Sequence, residues 1–66
     1  MQGFGARLKA ARKEAGLTQE EIARILHIHR TTYTKYETDQ AEPPFDTLIK
    51  IAAILEVTVS SLLTPR

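Results

Sequence analysis

The sequence predicts a single all-α domain of five helices. Its 66 residues are fewer than the roughly 100 residues of a typical domain, so residues 1–66 form one domain at most. Apolar residues recur at intervals of three and four, which is the spacing of an amphipathic helix. No segment alternates apolar and polar residues as a half-buried strand does, and no internal repeat occurs.

The first helix is predicted to begin at Phe4 and to end at Gly16. Glycine takes the left-handed conformation that often follows a helix, and Leu17 then folds back onto the apolar face. Steps of four, three and four place one set of apolar or small residues on that face: Phe4, Leu8, Ala11 and Ala15.

The second helix is predicted to begin after Thr18. Glu21 follows Thr18 by three positions, and this spacing is typical of a capping box, in which each side chain bonds the other residue's backbone N–H. The buried side of this helix is predicted to consist of Ile22, Ala23 and Leu26.

The third helix is predicted over residues 30–37, after a break at His27, Ile28 and His29. It turns inward at Tyr33 and Tyr36. At 100° per residue, four polar side chains fall within about 140° of one another on the opposite side. They are Arg30, Thr31, Thr34 and Lys35.

The last two helices follow the loop TDQAEPP, whose prolines separate one helix from the next. A strong apolar pattern predicts the fourth helix, and a shorter pattern over residues 57–63 predicts the fifth. The fourth pattern consists of Phe45, Leu48, Ile51, Ala52 and Leu55.

The composition restricts the class of protein. Net charge is only +1, yet seven of the nine Lys and Arg residues lie within the first 35 positions, which suits a protein with one basic face. The absence of cysteine excludes disulfides and thiolate metal sites. No apolar run approaches the ~18 residues of a membrane span, and no signal pattern occurs, so a soluble, cytoplasmic protein without membrane contact is predicted.

Three segments resemble the Cro/C1-type (Xre-like) helix-turn-helix family of prokaryotic transcription regulators: RLKAARKEAGLTQEEIARIL, TYTKYE and DTLIKIAAILEVTVSSLL. The resemblance covers about residues 4–63. It implies a lambda-repressor-like DNA-binding domain with its helix-turn-helix at about residues 18–37 and its third helix in the major groove of double-stranded DNA.

The resemblance also implies roles for individual residues. The base contacts are Arg30, Thr31, Thr34 and Lys35, and the phosphate contacts are Thr18, Gln19, His29, Tyr36, Thr38 and Gln40. Arg12 and Glu37 match a partly buried ion pair that ties the first helix to the end of the third. For Tyr33 and Tyr36 there are two alternatives, a position in the core or a hydroxyl that reaches a phosphate, and the core position is favoured for both.

Dimerisation is implied through the fifth helix and the loop before it, at Val57, Val59, Ser61 and Leu62. A twofold axis would place two recognition helices about 34 Å apart, as a palindromic operator requires. The prediction is a homodimeric repressor or autoregulator that blocks polymerase by occupying its operator.

Two features depart from the family pattern. His27, Asp39 and Glu56 occupy positions where the family favours glycine. His and Asp tolerate a positive φ. A positive φ at Glu56 is expected to cost more conformational energy, or the end of the helix is expected to change there. The loop after the third helix is acidic rather than basic, which predicts fewer phosphate contacts and a weaker salt dependence.

Other functions are weighed against DNA binding. A protein-interaction module or antitoxin with the same fold would use an apolar patch that includes Ile25, Ile49 and Val59. An enzyme is not expected, because no catalytic set of side chains can be assembled. His27 and His29 lack neighbouring ligands, so no metal is predicted, and neither a cofactor nor a small-molecule ligand is evident.

Overall fold

The computed structural model describes residues 3–64. They form five helices, with no strand among these residues: α1 (Phe4–Glu14), α2 (Gln19–Leu26), α3 (Arg30–Glu37), α4 (Phe45–Leu55) and α5 (Val59–Leu63). Helix α3 packs against α1 and α2, while α5 packs against α1 and α4. The predicted fold class is confirmed.

Threonine side chains fix the first residues of two helices. The Thr18 hydroxyl accepts from the Glu21 N–H at 3.0 Å and the Glu21 carboxylate accepts from the Thr18 N–H at 2.8 Å, which confirms the predicted capping box. The hydrogen bond from the Thr18 backbone is the main reason that the pKa of Glu21 is lowered. Thr58 accepts from the Ser61 N–H at 3.0 Å, so α5 begins at Val59, two residues later than the apolar pattern predicted.

Four helices end in the same way, with a left-handed residue at Gly16, His27, Asp39 or Glu56. The residue after each one donates its N–H to a carbonyl five positions earlier, at 2.9 to 3.2 Å. This is the Schellman arrangement, which satisfies carbonyls at the end of a helix. His27 and Asp39 adopt the left-handed conformation as predicted. Glu56 adopts it as well, with φ 58°, and α4 ends there without distortion.

We expect the Glu56→Gly substitution to stabilise the domain. A side chain in the left-handed region costs about 1–2 kcal/mol, which exceeds the entropic cost of glycine of roughly 0.5–1 kcal/mol. The midpoint of thermal unfolding should rise by about 4 to 8 °C per kcal/mol gained. Glu56→Ala is the matched control in circular dichroism, since it removes the carboxylate and keeps Cβ. An equal rise in both variants would show that charge, and not φ, limits stability here.

The core combines side chains of all five helices. Its buried apolar residues are Phe4, Leu8, Ile22, Ala23, Tyr33, Tyr36, Leu48, Ile51, Ala52, Leu55 and Leu62. Two residues of the predicted apolar patterns lie outside this core. Ala15 follows the last residue of α1 and is exposed, while Arg12 occupies the buried position four residues after Leu8. Phe45 is the first residue of α4 and lies beyond the edge of the core, 69% exposed.

The start of α1 lies directly against the end of α3. The Gly5 N–H donates to the Asp39 carboxylate at 2.9 Å, so a side chain from the far end of α3 satisfies one of the free N–H groups of α1. A Cβ atom at Gly5 would overlap the backbone carbonyl of Glu37. The absence of a side chain at Gly5 therefore permits the close approach that fixes α3 on the domain.

Candidate nucleic-acid interface

Helix α3 has a buried side and an exposed side. Tyr33 and Tyr36 lie in the core, and their rings meet edge to face with centroids 6.2 Å apart. Arg30, Thr31 and Lys35 are exposed on the opposite side. The separation matches the angular prediction, and these three side chains are available to a ligand outside the domain.

The end of α3 is tied to α1 by a buried ion pair. Arg12 and Glu37 are only 7% and 8% exposed, and Arg12 Nε donates to Glu37 Oε2 at 2.6 Å. Arg12 Nη2 reaches the other carboxylate oxygen at 3.3 Å, and Nη1 donates to the Leu17 carbonyl at 2.8 Å. The structure thus places Arg12 and Glu37 together, as the resemblance implied.

Two further donors complete the surroundings of the Glu37 carboxylate. The Tyr33 hydroxyl donates to Oε2 at 2.6 Å, and Gln19 Nε2 donates to Oε1 at 2.9 Å. Burial alone would raise the pKa of Glu37, but the hydrogen bonds from Arg12, Tyr33 and Gln19 outweigh it and hold the pKa below its usual range. Burial, followed by the bond to Glu37, raises the pKa of Tyr33. Glu37 is therefore ionised and Tyr33 neutral at physiological pH.

This lowered pKa predicts a loss of stability in acid. A carboxyl group with a depressed folded-state pKa stabilises the fold above its unfolded pKa, near 4.5 for Glu37, and this contribution is lost as the pH falls through the folded value. Chemical unfolding between pH 7 and pH 3 measures this contribution. At neutral pH the free energy of unfolding of the wild type should be well above that of Glu37→Gln, and the difference should shrink below about pH 4.5. A gap that stays constant with pH would contradict this assignment.

The N-terminus of α2 borders an open cleft of about 360 Å³ next to α3. Its lining consists of Arg12, Gly16, Leu17, Thr18, Gln19, Glu20 and Arg30. The first N–H groups of a helix and its positive dipole end favour an anion. The exposed Arg30 adds a positive charge, and the Thr18 hydroxyl, which only accepts within the cap, keeps a hydrogen to donate. The cleft thus has the chemistry of a phosphate site.

The other predicted phosphate contacts differ in accessibility. His29, Thr38 and Gln40 are exposed, whereas Tyr36 is buried with 6% of its surface accessible, so its body belongs to the core. The Thr38 hydroxyl lies 3.1 Å from the Thr34 carbonyl and so bonds its own helix. One acidic residue of the loop has a structural role, because the Asp39 carboxylate accepts a hydrogen bond from the α1 backbone.

The predicted dimer residues do not all lie on the surface. Val57 and Val59 are half-buried and Ser61 is exposed, but Leu62 is 1% exposed inside the protomer's own core. Leu62 must therefore be removed from the predicted contact set, because its position on the short α5 helix faces α1 and α4. Val57 and Ser61 line a groove of about 970 Å³ together with Leu17, Ile25 and Ile54.

Arg7 is a residue that the sequence did not single out. Its Nε donates to the Leu62 carbonyl at 2.7 Å and its Nη2 to the Leu63 carbonyl at 3.1 Å. The guanidinium therefore satisfies carbonyls at the end of α5 and holds that helix against α1. The partners are 55 and 56 positions apart, so no local pattern could have indicated them.

Comparison with known proteins places this arrangement in a family. A family model described as helix-turn-helix matches residues 8–62. The chain belongs to the helix-turn-helix family. The resemblance to its Cro/C1-type members is confirmed, and membership of this family, whose relatives are named as transcriptional regulators, supports the prediction of a non-enzymatic protein.

Several helix-turn-helix proteins are similar to the chain. The HTH-type transcriptional regulators YqaE and ImmR of Bacillus subtilis (strain 168) are 45% and 42% identical over 60 residues, covering 91% of this chain and 52% and 47% of the relative. The cryptic phage CTXphi transcriptional repressor RstR of Vibrio cholerae is 38% identical over 56 residues, covering 85% of this chain and 50% of RstR. The chain thus spans about half the length of these relatives. No solved structure was found to match it.

The described part of the helix-turn-helix domain lacks two further features. No helix within residues 3–64 is both long enough and apolar enough to cross a membrane. In the same part of the chain, no group of three or more His, Cys, Asp or Glu side chains is arranged to hold a metal ion.

Proposed function

We propose that the chain is a sequence-specific double-stranded DNA-binding transcriptional regulator, and that it acts as a repressor or autoregulator in the cytoplasm. The observation that carries this proposal is the exposed set Arg30, Thr31 and Lys35 on a helix whose other side is fixed in the core. The relatives named as transcriptional repressors support the same class.

The proposed base contacts follow from the chemistry of these side chains. Arginine and lysine donate to O6 and N7 of guanine, which both face the major groove. Threonine offers a methyl group to thymine or a hydroxyl to several bases. An operator half-site with one or two guanines is therefore expected opposite Arg30 and Lys35.

The proposed phosphate contacts lie mainly at the start of α2, where the cleft beside Thr18 and Gln19 would bind a backbone phosphate. His29, Thr38 and Gln40, which are all exposed, are the further proposed phosphate contacts. The acidic Asp39 and Glu42 lie in that loop. We therefore expect few neutralised phosphates, and each neutralised phosphate that is lost lowers the slope of log affinity against log salt by nearly one.

A homodimer on a palindromic operator completes the proposal. Val57, Val59 and Ser61 are the accessible members of the predicted contact set, and a twofold axis near α5 would align two α3 helices about one helical turn of DNA apart. Because these side chains are small and both valines are half-buried, we propose a weak dimer that forms fully on DNA. Analytical ultracentrifugation showing only one chain per palindromic duplex would contradict it.

In vitro selection from randomised duplexes at near-physiological salt tests this function. The expected product is an inverted repeat whose half-sites are centred about 10 base pairs apart. Failure to enrich any sequence, with only weak salt-sensitive binding, would contradict sequence-specific recognition.

A protein-interaction module or antitoxin is the second candidate. Ile25 is 50% exposed and lines the groove with Ile54 and Val57, which is the apolar surface such a module needs. If this is the function, Ile25→Lys abolishes regulation in cells while the exposed α3 residues can be replaced without effect. The opposite pattern is expected for a DNA-binding regulator.

A further inference from the structure

We infer that Thr34 is a positioning residue for a phosphate contact and does not donate its hydroxyl hydrogen to a base. This inference rests on the proposed DNA-binding function and revises the role that the family resemblance implied for Thr34. Thr34 lies on the outer side of α3 but is only half-exposed, because Gln19 of α2 lies against it.

The orientation of the Gln19 amide is set by Glu37. Gln19 Nε2 lies 2.9 Å from Glu37 Oε1, and an ionised carboxylate can only accept a hydrogen bond. The amide nitrogen of Gln19 must therefore face Glu37. This leaves the amide oxygen of Gln19 facing the Thr34 hydroxyl at 3.1 Å, where only a donor is favourable.

The Thr34 hydroxyl has one hydrogen, and both acceptors within its reach belong to the protein. Gln19 Oε1 lies at 3.1 Å and the Arg30 carbonyl at 2.9 Å. The hydroxyl hydrogen of Thr34 is thus used within the protein. Thr31, one turn earlier on the same helix, is exposed, and its side chain makes no hydrogen bond to another group among residues 3–64. The two threonines therefore have different roles although both lie on the outer side.

The result is a chain of hydrogen bonds from the core to the α2 cleft. Arg12 and Tyr33 hold Glu37, Glu37 holds the Gln19 nitrogen, and Thr34 holds the Gln19 oxygen. One amide hydrogen of Gln19 remains for a phosphate at the start of α2. Thr34 and Glu37 together fix the side chain that makes this contact.

Thr34→Val tests the inference, because valine has nearly the same shape and no hydroxyl. On the operator obtained by selection, we expect affinity to fall about fivefold to tenfold at every salt concentration, because a neutral amide hydrogen bond to a phosphate releases no counterion. The selected sequence should not change. In the free protein, the side-chain NH₂ resonances of Gln19 should shift, and Thr34→Ser should restore both the affinity and the resonances.

Thr31→Val is the matched control on the same helix. It should alter the preferred base at one operator position and leave the Gln19 side-chain resonances unchanged. The inference is overturned if Thr34→Val instead changes the preferred base, or if the Gln19 resonances do not move. A wild-type protein that enriches no sequence would refute the proposed function itself, and this inference with it.

Discussion

The Glu37→Ala variant is expected to be largely unfolded at 25 °C. It leaves the buried Arg12 guanidinium without its carboxylate partner and removes the acceptor of Tyr33 and Gln19. Breaking a buried ion pair by removing one partner costs about 3–5 kcal/mol. A core of this size supplies only about 3–5 kcal/mol in total, so the loss is comparable to the whole stability.

Urea unfolding followed by circular dichroism measures this effect. Glu14→Ala is the control, since Glu14 is an exposed carboxylate on α1 and its loss should change stability by no more than about 0.5 kcal/mol. A Glu37→Ala variant whose free energy of unfolding lies within about 1 kcal/mol of the wild-type value would mean that water replaces the ion pair. That result would contradict the burial of both side chains.

The Arg30→Ala, Lys35→Ala double variant is expected to lose operator binding while it keeps its fold. Each well-placed contact to a base contributes about 1–3 kcal/mol of discrimination, so affinity for the operator should fall roughly 30-fold or more. Both side chains are exposed, which means that their removal leaves the core and the Glu37 network intact.

Fluorescence anisotropy with the selected duplex measures the loss, and circular dichroism checks the helices. The charge-matched control is Lys9→Ala, Lys50→Ala, which removes two exposed positive charges from α1 and α4, outside the helix-turn-helix. A similar loss in both double variants would show that net charge alone drives binding. No loss in the first variant would favour the protein-interaction alternative.

Local sequence rules predicted the helices well because their causes are local. The Thr18 and Glu21 cap, the Gly16 stop and the opposite sides of α3 all depend on residues within a few positions of one another. Periodicity gives the direction of a side chain but not its depth, which is why Phe45 and Ala15 continue the apolar patterns and yet are exposed.

The contacts that shape the candidate site are different in kind. Asp39 to Gly5, Arg7 to the end of α5, and Thr34 to Gln19 join residues that are 15 to 56 positions apart. Only the packing of the helices brings these groups within hydrogen-bond distance. The Arg12–Glu37 pair was predicted, but from family resemblance and not from any local pattern.

The most direct test is an amide NMR titration of the ¹⁵N-labelled chain with the selected duplex. We predict that the largest shifts fall on Arg30, Thr31 and Lys35 and at the start of α2 around Gln19. In the groove beside Ile25 we expect only the smaller shifts of the dimer contacts Val57 and Ser61. Shifts concentrated in that groove, with α3 unaffected, would contradict the claim that the outer side of α3 binds DNA.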